Sequence, residues 1–264
     1  MRQYKFRSGR TLTIGNRTLV MGILNVTPDS FSDGGQWLNV NQAVKHVDEM
    51  ISDGADIIDI GAESTRPNFK PVSADEEIAR LEPILRALND CPIPISVDTY
   101  KTSTADAAIR LGADIINAVH VERPMLETAA RLNVPLVVTH DRQSDDVIAD
   151  IKNFFEQTVE RANELGLDRN NLIFDPGIGF GKTQEQNLTI LRRLDELKTD
   201  LPLMLGVSRK SVIEYALGLP IEQRDEATGA WSVIGAMKGV DIVRVHNVNL
   251  IAKMIRAADI LTKK

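Results

Sequence analysis

The sequence predicts an α/β chain folded as a parallel, eight-stranded (β/α)8 TIM barrel with a short N-terminal β-hairpin. Short runs rich in Val and Ile alternate with longer stretches of helical period, the pattern of buried parallel strands joined by crossover helices. Eight such runs fit into 264 residues, a length and alternation suited to a closed barrel. Finally, GADIIDIG from Gly54, GADIINAV from Gly112 and GVDIVRVH from Gly239 repeat one junction. In it Gly ends a helix in left-handed backbone and Asp opens a buried strand.

The hairpin comes first. Residues 1–18 do not fit the alternation, and RTLTIGNRTL is expected to turn at Gly15-Asn16 and cap the bottom of the barrel. Strands are then expected over Leu19 to Asn25, Asp56 to Gly61, Ile93 to Asp98, Asp114 to Val119, Val134 to His140, Asn171 to Asp175, Pro202 to Gly206 and Asp241 to His246. Stretches of helical period between them include Asn41 to Ser52, Ala74 to Leu88, Ser103 to Leu111, Val147 to Leu165 and Gln186 to Leu197. No linker or low-complexity tract interrupts the series, so residues 1–264 read as one domain.

With 43% hydrophobic residues the chain can bury a large core. Cys91 is the only cysteine, so no internal disulfide is expected, and a small buried apolar role suits it. No apolar stretch is long enough for a signal peptide or a membrane span, so a cytoplasmic protein without membrane partners is expected. A formal charge of −6 argues against a nucleic-acid partner, whose binding needs clustered Lys and Arg. Any anion site must therefore be built locally.

In such barrels the site lies at the carboxyl ends of the strands. Nearly every run here closes on a polar group: Asn25, then Glu63 with Thr65 and Arg66, Asp98, Asn117, His140, Asp175, Ser208 with Arg209 and Lys210, and Arg244 with His246. Any one carboxylate could simply cap the following helix, but the recurrence points to a polar ligand, because burying so many polar groups without partners is costly.

The loops add detail. GILNVTPDSFSDGG (Gly22 to Gly35) is longer than a usual strand-to-helix connection and carries Phe31 among polar residues, as a mobile lid would. GAESTRP sets Thr65 and Arg66 where a hydroxyl and a guanidinium can meet an anion. DPGIGFGKT (Asp175 to Thr183) lacks the spacing of a nucleotide phosphate loop, and its glycines suit close backbone approach to a flat ligand. Lys210 and Ser211 after the seventh run join Arg244 and His246, two residues apart and so on one strand face, where barrels often hold phosphate. No His or Cys pattern has zinc spacing. A magnesium ion held mainly by substrate phosphates is compatible, with Asn25 and Asp33 the candidates to touch it.

In order from Gly22 to His246, the motifs GILNVTPDSFSDGG, DIGAESTRP, SVDTYK, IIN, DPGIGFGKT, GVSRKS and VRVH resemble those of the dihydropteroate synthase family. The resemblance implies a transferase of folate biosynthesis. Such enzymes join 6-hydroxymethyl-7,8-dihydropterin pyrophosphate to p-aminobenzoate with the help of Mg2+, and sulfonamides compete with the arylamine. It implies that Asp98, Asn117, Asp175 and Lys210 grip the pterin edge, with Phe180 of DPGIGFGKT on the substrate. Arg244, His246 and Asn25 would hold pyrophosphate and metal, with Asp33, Thr65 and Arg66 nearby. Phe31, Thr65, Pro67 and Ser211 would receive p-aminobenzoate, after the pterin pyrophosphate has ordered the lid. A homodimer through barrel helices is also implied.

The chain departs from the family pattern at Ala118, where Asp is common, so a carboxylate near the pterin is expected to be missing. Thr139 before His140 replaces the usual Met, and Asn247 replaces a frequent Asp. These changes motivate an alternative, a pterin-binding paralogue with weak or no turnover. A corrinoid methyltransferase barrel would not need the retained lid, SRKS and VRVH. A scaffold would leave the polar strand ends unexplained.

Overall fold

The computed structural model describes residues 1–26, 36–63 and 71–262. An antiparallel pair, β1 (Arg2–Lys5) and β2 (Thr11–Ile14), precedes β3 (Leu19–Asn25), β4 (Ile57–Gly61), β5 (Ile95–Asp98), β6 (Ile115–Ala118), β7 (Leu136–Thr139), β8 (Leu172–Asp175), β9 (Met204–Leu205) and β10 (Ile242–Val245). The last eight are parallel, in the order β8-β7-β6-β5-β4-β3-β10-β9, and a bridge between Phe174 and Leu203 joins the two ends into a barrel. Each lies within its expected run. Proportionally the deepest trimming is at β9, where Pro202 has no N–H to give a ladder.

Nine helices are described: α1 (Gln36–Asp53), α2 (Ala74–Ala87), α3 (Thr102–Arg110), α4 (Arg123–Leu132), α5 (Val147–Glu164), α6 (Gln184–Arg192), α7 (Ser211–Leu217), α8 (Asp225–Met237) and α9 (Val248–Thr262). Side-chain caps start several of them: Ser73 accepts from the Glu76 amide, Asp146 from that of Ala149, and Thr183 with Gln186 forms a reciprocal capping box. The single helix expected over Gln186 to Leu197 is instead two pieces, α6 and a 3-10 turn at Leu194–Leu197. Residues three apart eclipse in a 3-10 turn, which lets both Leu194 and Leu197 reach the core.

The hairpin turns at Arg7-Ser8-Gly9 and not at Gly15-Asn16 as the sequence suggests. Phe6 N donates to Arg10 O at 2.9 Å, and Gly9 takes a φ of +89°. The stretch after Ile14 cannot fold back on β2, because both edges of β3 are taken by β4 and β10. Gly15 and Asn16 therefore link the hairpin to the barrel.

Alternation along the strands divides the core in two. Leu19, Met21, Ile57, Ile115, Val137, Ile173, Met204 and Ile242 face inward and form one cluster with Tyr4, Leu12 and Ile14, so the hairpin plugs the bottom of the barrel. Their strand neighbours, including Ile58, Val97, Ile116, Ala118, Val138 and Phe174, join the outer core with helix residues such as Leu81 and Phe155. Phe155 and Phe174 stack with ring centroids 4.1 Å apart.

The repeated junction has a defined function at the bottom. Gly54, Gly112 and Gly239 take φ values of +105°, +106° and +94°, as the repeat requires. Each following Asp then clips its strand to the preceding one. The amides of Asp56, Asp114 and Asp241 donate to the carbonyls of Val20, Ile95 and Leu203 at 2.8, 2.7 and 2.8 Å. Their carboxylates accept from the amides of the same three residues at 2.9, 3.0 and 3.0 Å.

Arg10, 7% exposed, ties the hairpin to this end. Its five N–H groups donate to Asp114 and to the carbonyls of Leu88, Asn89, Cys91 and Gly112 at 2.8–3.0 Å. Breaking such a buried pair from one side strands its partners, so Arg10→Met is expected to lower unfolding free energy by about 3–5 kcal/mol. Urea denaturation measures this, and KM values should not move, because the contact is at the end of the barrel away from the strand C-termini. Among the described residues no helix is long and apolar enough to cross a membrane.

Candidate active site

Two residues beyond the inward rung, which is apolar except for Ser96 on β5, the same faces of the strands turn polar: Asp59 on β4, Asp98 on β5, Asn117 on β6, Thr139 on β7, Asp175 on β8 and Arg244 on β10. Asp59, Asn117, Thr139 and Asp175 are buried, whereas the side chains of Asp98 and Arg244 each keep about a fifth of their exposure at the mouth. Arg244 bridges two strands, donating from Nε to Asp59 Oδ2 at 2.6 Å and from Nη2 to Asp98 Oδ2 at 2.7 Å. Asn117 Nδ2 donates to the same Asp59 oxygen at 3.0 Å.

On the opposite wall Asp175 Oδ1 accepts from Gly177 N at 2.7 Å. Its other oxygen shares a space with Lys210 and Arg244: a methyl built on Gly206 would lie 3.7 Å from Asp175 Oδ2, 3.9 Å from Lys210 Nζ and 3.9 Å from Arg244 Cβ. Lys210 donates to the Ile178 carbonyl, and its ammonium stands 4.5 Å from the centroid of the Phe180 ring. Asp98, Asn117, Asp175, Phe180, Lys210 and Arg244 thus converge on one mouth.

Burial tunes these groups. It pushes Asp98 up to about 6, helped by the Asp59 charge and opposed by Arg244. It raises Asp175 as well, against the pull of Lys210, and lowers Lys210 to about 8. Arg244 is desolvated too, yet Asp59 and Asp98 hold its guanidinium more firmly protonated than usual.

The other expected residues lie around this centre. Asn25 is exposed at the end of β3, with its Oδ1 and Asp98 Oδ2 each 3.8 Å from a methyl built on Gly61. His246 Nδ1 is 2.9 Å from Ser208 Oγ, across the end of β9. Ser211 opens α7 on the surface and accepts from Gln184 at 3.1 Å. Arg209 is held in two bonds by Asp225, outside the cluster. Phe31, Asp33, Thr65, Arg66 and Pro67 lie outside the described residues, as does most of the expected lid.

Two expectations are corrected. His140 does not face the mouth. Three positions beyond inward Val137, it turns toward α5, where its Nε2 meets Asp150 Oδ2 at 2.8 Å and its ring meets Phe154 edge-on; burial and the Lys182 charge lower it to about 4. Ala118 leaves no missing carboxylate in the mouth, because it lies on the outward face of β6 inside the outer core, where an Asp would be buried among Val97 and Val138. Asn247 has a local role: its Oδ1 caps α9 by accepting from Leu250 N at 3.1 Å, and its Nδ2 donates to Asp225.

Two participants escape sequence reasoning. Asp59 sits inside an apolar run, and that break in DIIDIG is the available signal. Lys182 donates to the carbonyls of His140, Gly177 and Phe180 at 2.7, 3.0 and 2.9 Å, which fastens the loop after β8 to the one after β7. At the same seam a Cβ on Gly177 would fall 1.8 Å from His140 O, so only glycine fits.

A (β/α)8 barrel with a buried acidic, amide and cationic cluster at its mouth defines an enzyme class, and the chain matches the family described as pterin binding enzyme over residues 21–246. A dihydropteroate synthase of Clostridium beijerinckii is 46% identical over 264 residues, covering 97% of this chain and 98% of that protein. The solved structure of a Clostridium difficile dihydropteroate synthase in the presence of pteroic acid superposes with a TM-score of 0.92 at 42% identity, covering 96% of this chain and 100% of that one. A Xanthomonas albilineans dihydropteroate synthase with 4-aminobenzoic acid gives 0.90 at 37% identity, with 96% of each chain covered. The chain belongs to the dihydropteroate synthase family.

Proposed function

We propose that the protein joins 6-hydroxymethyl-7,8-dihydropterin pyrophosphate to p-aminobenzoate, giving 7,8-dihydropteroate and pyrophosphate. The observation that carries this reading is the convergence of Asp98, Asn117, Asp175 and Lys210 beside Arg244. A pterin presents an amidine-like N–H edge that a buried carboxylate accepts in paired fashion, while an amide and an ammonium serve its acceptors. Phe180 offers an aromatic face beside Lys210.

The arylamine nitrogen supplies the electron pair for the new C–N bond. The pterin's exocyclic C–O bond breaks, its electron pair leaves with pyrophosphate, and the alkylated nitrogen gives up one proton to solvent or to the departing pyrophosphate. The amine is already nucleophilic, so the protein contributes positioning and charge more than a strong base. Arg244 and His246, with Thr65 and Arg66 from the second loop, would hold the departing pyrophosphate. Ser211, Phe31 and Pro67 would line the p-aminobenzoate site, and Asp33 would join Asn25 beside the metal.

Asn25 would hold magnesium. It is an exposed neutral oxygen donor at the mouth, and among the described residues no group of three His, Cys, Asp or Glu could hold a metal, so phosphate and water oxygens would supply the remaining ligands. The chemistry such an ion brings is neutralisation of charge on the leaving group.

A purified-protein assay of pyrophosphate release with both substrates tests the reading; pterin binding without release would favour the non-catalytic paralogue. The pH profile of kcat/KM should be bell-shaped. Activity rises as Asp98 ionises near 6 and falls as Lys210 loses its proton near 8, both limbs belonging to the coupled cluster. A profile flat from pH 5 to about 9 would contradict these roles.

A homodimer is part of the same proposal, supported by exposed Tyr215 and Leu217 on α7 with Ile234 and Met237 on α8. Met237→Lys should shift the sedimenting species from dimer to monomer. A cytoplasmic location fits the lone Cys91, whose thiol is raised by burial and so unreactive.

A further inference from the structure

The geometry points to Asp59 as the positioning residue of this site, a carboxylate sealed beneath the mouth that aims the Arg244 guanidinium at the pyrophosphate and the Asn117 amide at the pterin without touching the substrate. The inference rests on the functional reading above and goes beyond it, because Asp59 contacts no substrate in that reading.

Asp59 is 0% exposed, and a single oxygen makes its hydrogen bonds. Oδ2 accepts from Arg244 Nε at 2.6 Å and from Asn117 Nδ2 at 3.0 Å. The first contact, with the Nη2 bond to Asp98, fixes the plane of the guanidinium from two sides. The second settles the orientation of the amide: Nδ2 is drawn down toward Asp59, which leaves Oδ1 as the acceptor available to a ligand.

Asp59 Oδ1 and Ser96 Oγ, register partners on β4 and β5, are both buried without a hydrogen-bond partner among the described residues. A carboxylate kept only to stabilise the fold would use both oxygens, because each buried acceptor left without a donor costs free energy. Asp59 therefore carries a cost at Oδ1, offset by its pairing through Oδ2 with Arg244 and Asn117. What it supplies is the aim of two groups that meet the ligand.

The experiment compares the parent with Asp59→Asn in thermal unfolding, calorimetric affinity for 6-hydroxymethylpterin and dihydropteroate formation. Asparagine keeps the shape and removes the charge. Asp59→Asn should melt within about 3 °C of the parent, bind 6-hydroxymethylpterin at least about 10-fold more weakly and lose about 100-fold in kcat/KM. The acid limb should also move to lower pH, since Asp98 loses one negative neighbour and keeps Arg244, Glu77 and Lys210 around it. Should the Asn variant fail to fold, Asp59→Ala must show the same separation of melting from affinity.

A purely structural role would lower melting and activity together and leave the acid limb in place; that result, or unchanged pterin affinity, overturns the inference. A parent that forms no dihydropteroate would defeat the functional reading, and the calorimetric comparison would still decide the role of Asp59.

Discussion

Asp175→Ala is expected to lower kcat/KM for the dihydropterin substrate by about 10³- to 10⁴-fold, because a site built to accept substrate N–H groups loses that much when the acceptor is gone. Asp175 is the buried carboxylate of the wall opposite Arg244. Its Oδ1 is already committed to Gly177 N, and its Oδ2 faces the space shared with Lys210. Burial raises its pKa, so the folded protein spends free energy to keep it ionised, and deleting it removes a cost along with a function. The melting temperature should therefore change by no more than about 5 °C. Steady-state kinetics and a thermal melt on the same preparation check both halves. A variant retaining a tenth of parent activity would refute the role given to Asp175.

Arg244→Met should lose about 10³-fold in kcat/KM and, unlike Asp175→Ala, about 3–5 kcal/mol of stability. The reason is arithmetic of charge. Arg244 is the cation between Asp59 and Asp98, and its removal leaves two carboxylates near one another with no partner between them. The folded-state pKa of Asp98, already about 6, must then rise further. A carboxylate whose pKa is raised in the folded state binds protons more tightly there than when unfolded, so stability falls as pH rises toward the folded value. The deficit of Arg244→Met relative to the parent should accordingly be smaller at pH 5 than at pH 8. Urea denaturation at the two pH values measures it, and an equal deficit at both would mean that the carboxylates do not feel the arginine.

Much of the barrel and part of its site are legible in the order of residues alone, for physical reasons. A strand buried on both faces must be an apolar run, so the eight runs stand out, and the Gly-x-Asp repeat marks three of their starting points. The polar residues closing those runs are equally visible. Orientation is harder. Whether a strand-end side chain enters the mouth depends on counting by two from a residue known to face inward, and the sequence does not say which residues those are. His140 and Ala118 are misplaced by sequence reasoning for that reason, while Arg244 and His246 need only their mutual spacing. Asp59 stays hidden because an acid in the middle of an apolar run has no meaning until Arg244, 185 residues away, arrives beside it. The sequence places the hairpin turn at Gly15-Asn16, whereas the chain turns at Arg7-Ser8-Gly9. Only the occupancy of both edges of β3 chooses between them.

The barrel's hoop of hydrogen bonds is thinnest where β9, two residues long, meets β8 through the single Phe174–Leu203 bridge and the bond from Phe174 N to Pro202 O at 2.9 Å. Thermal breathing of the hoop will concentrate at that seam. Asp175 stands on one lip of it and Lys210 follows the other, so a bound pterin spanning both would act as a rivet. Deuterium uptake at the amide of Phe174 would then slow on ligation, while the clipped strands at the floor of the barrel would exchange at an unchanged pace.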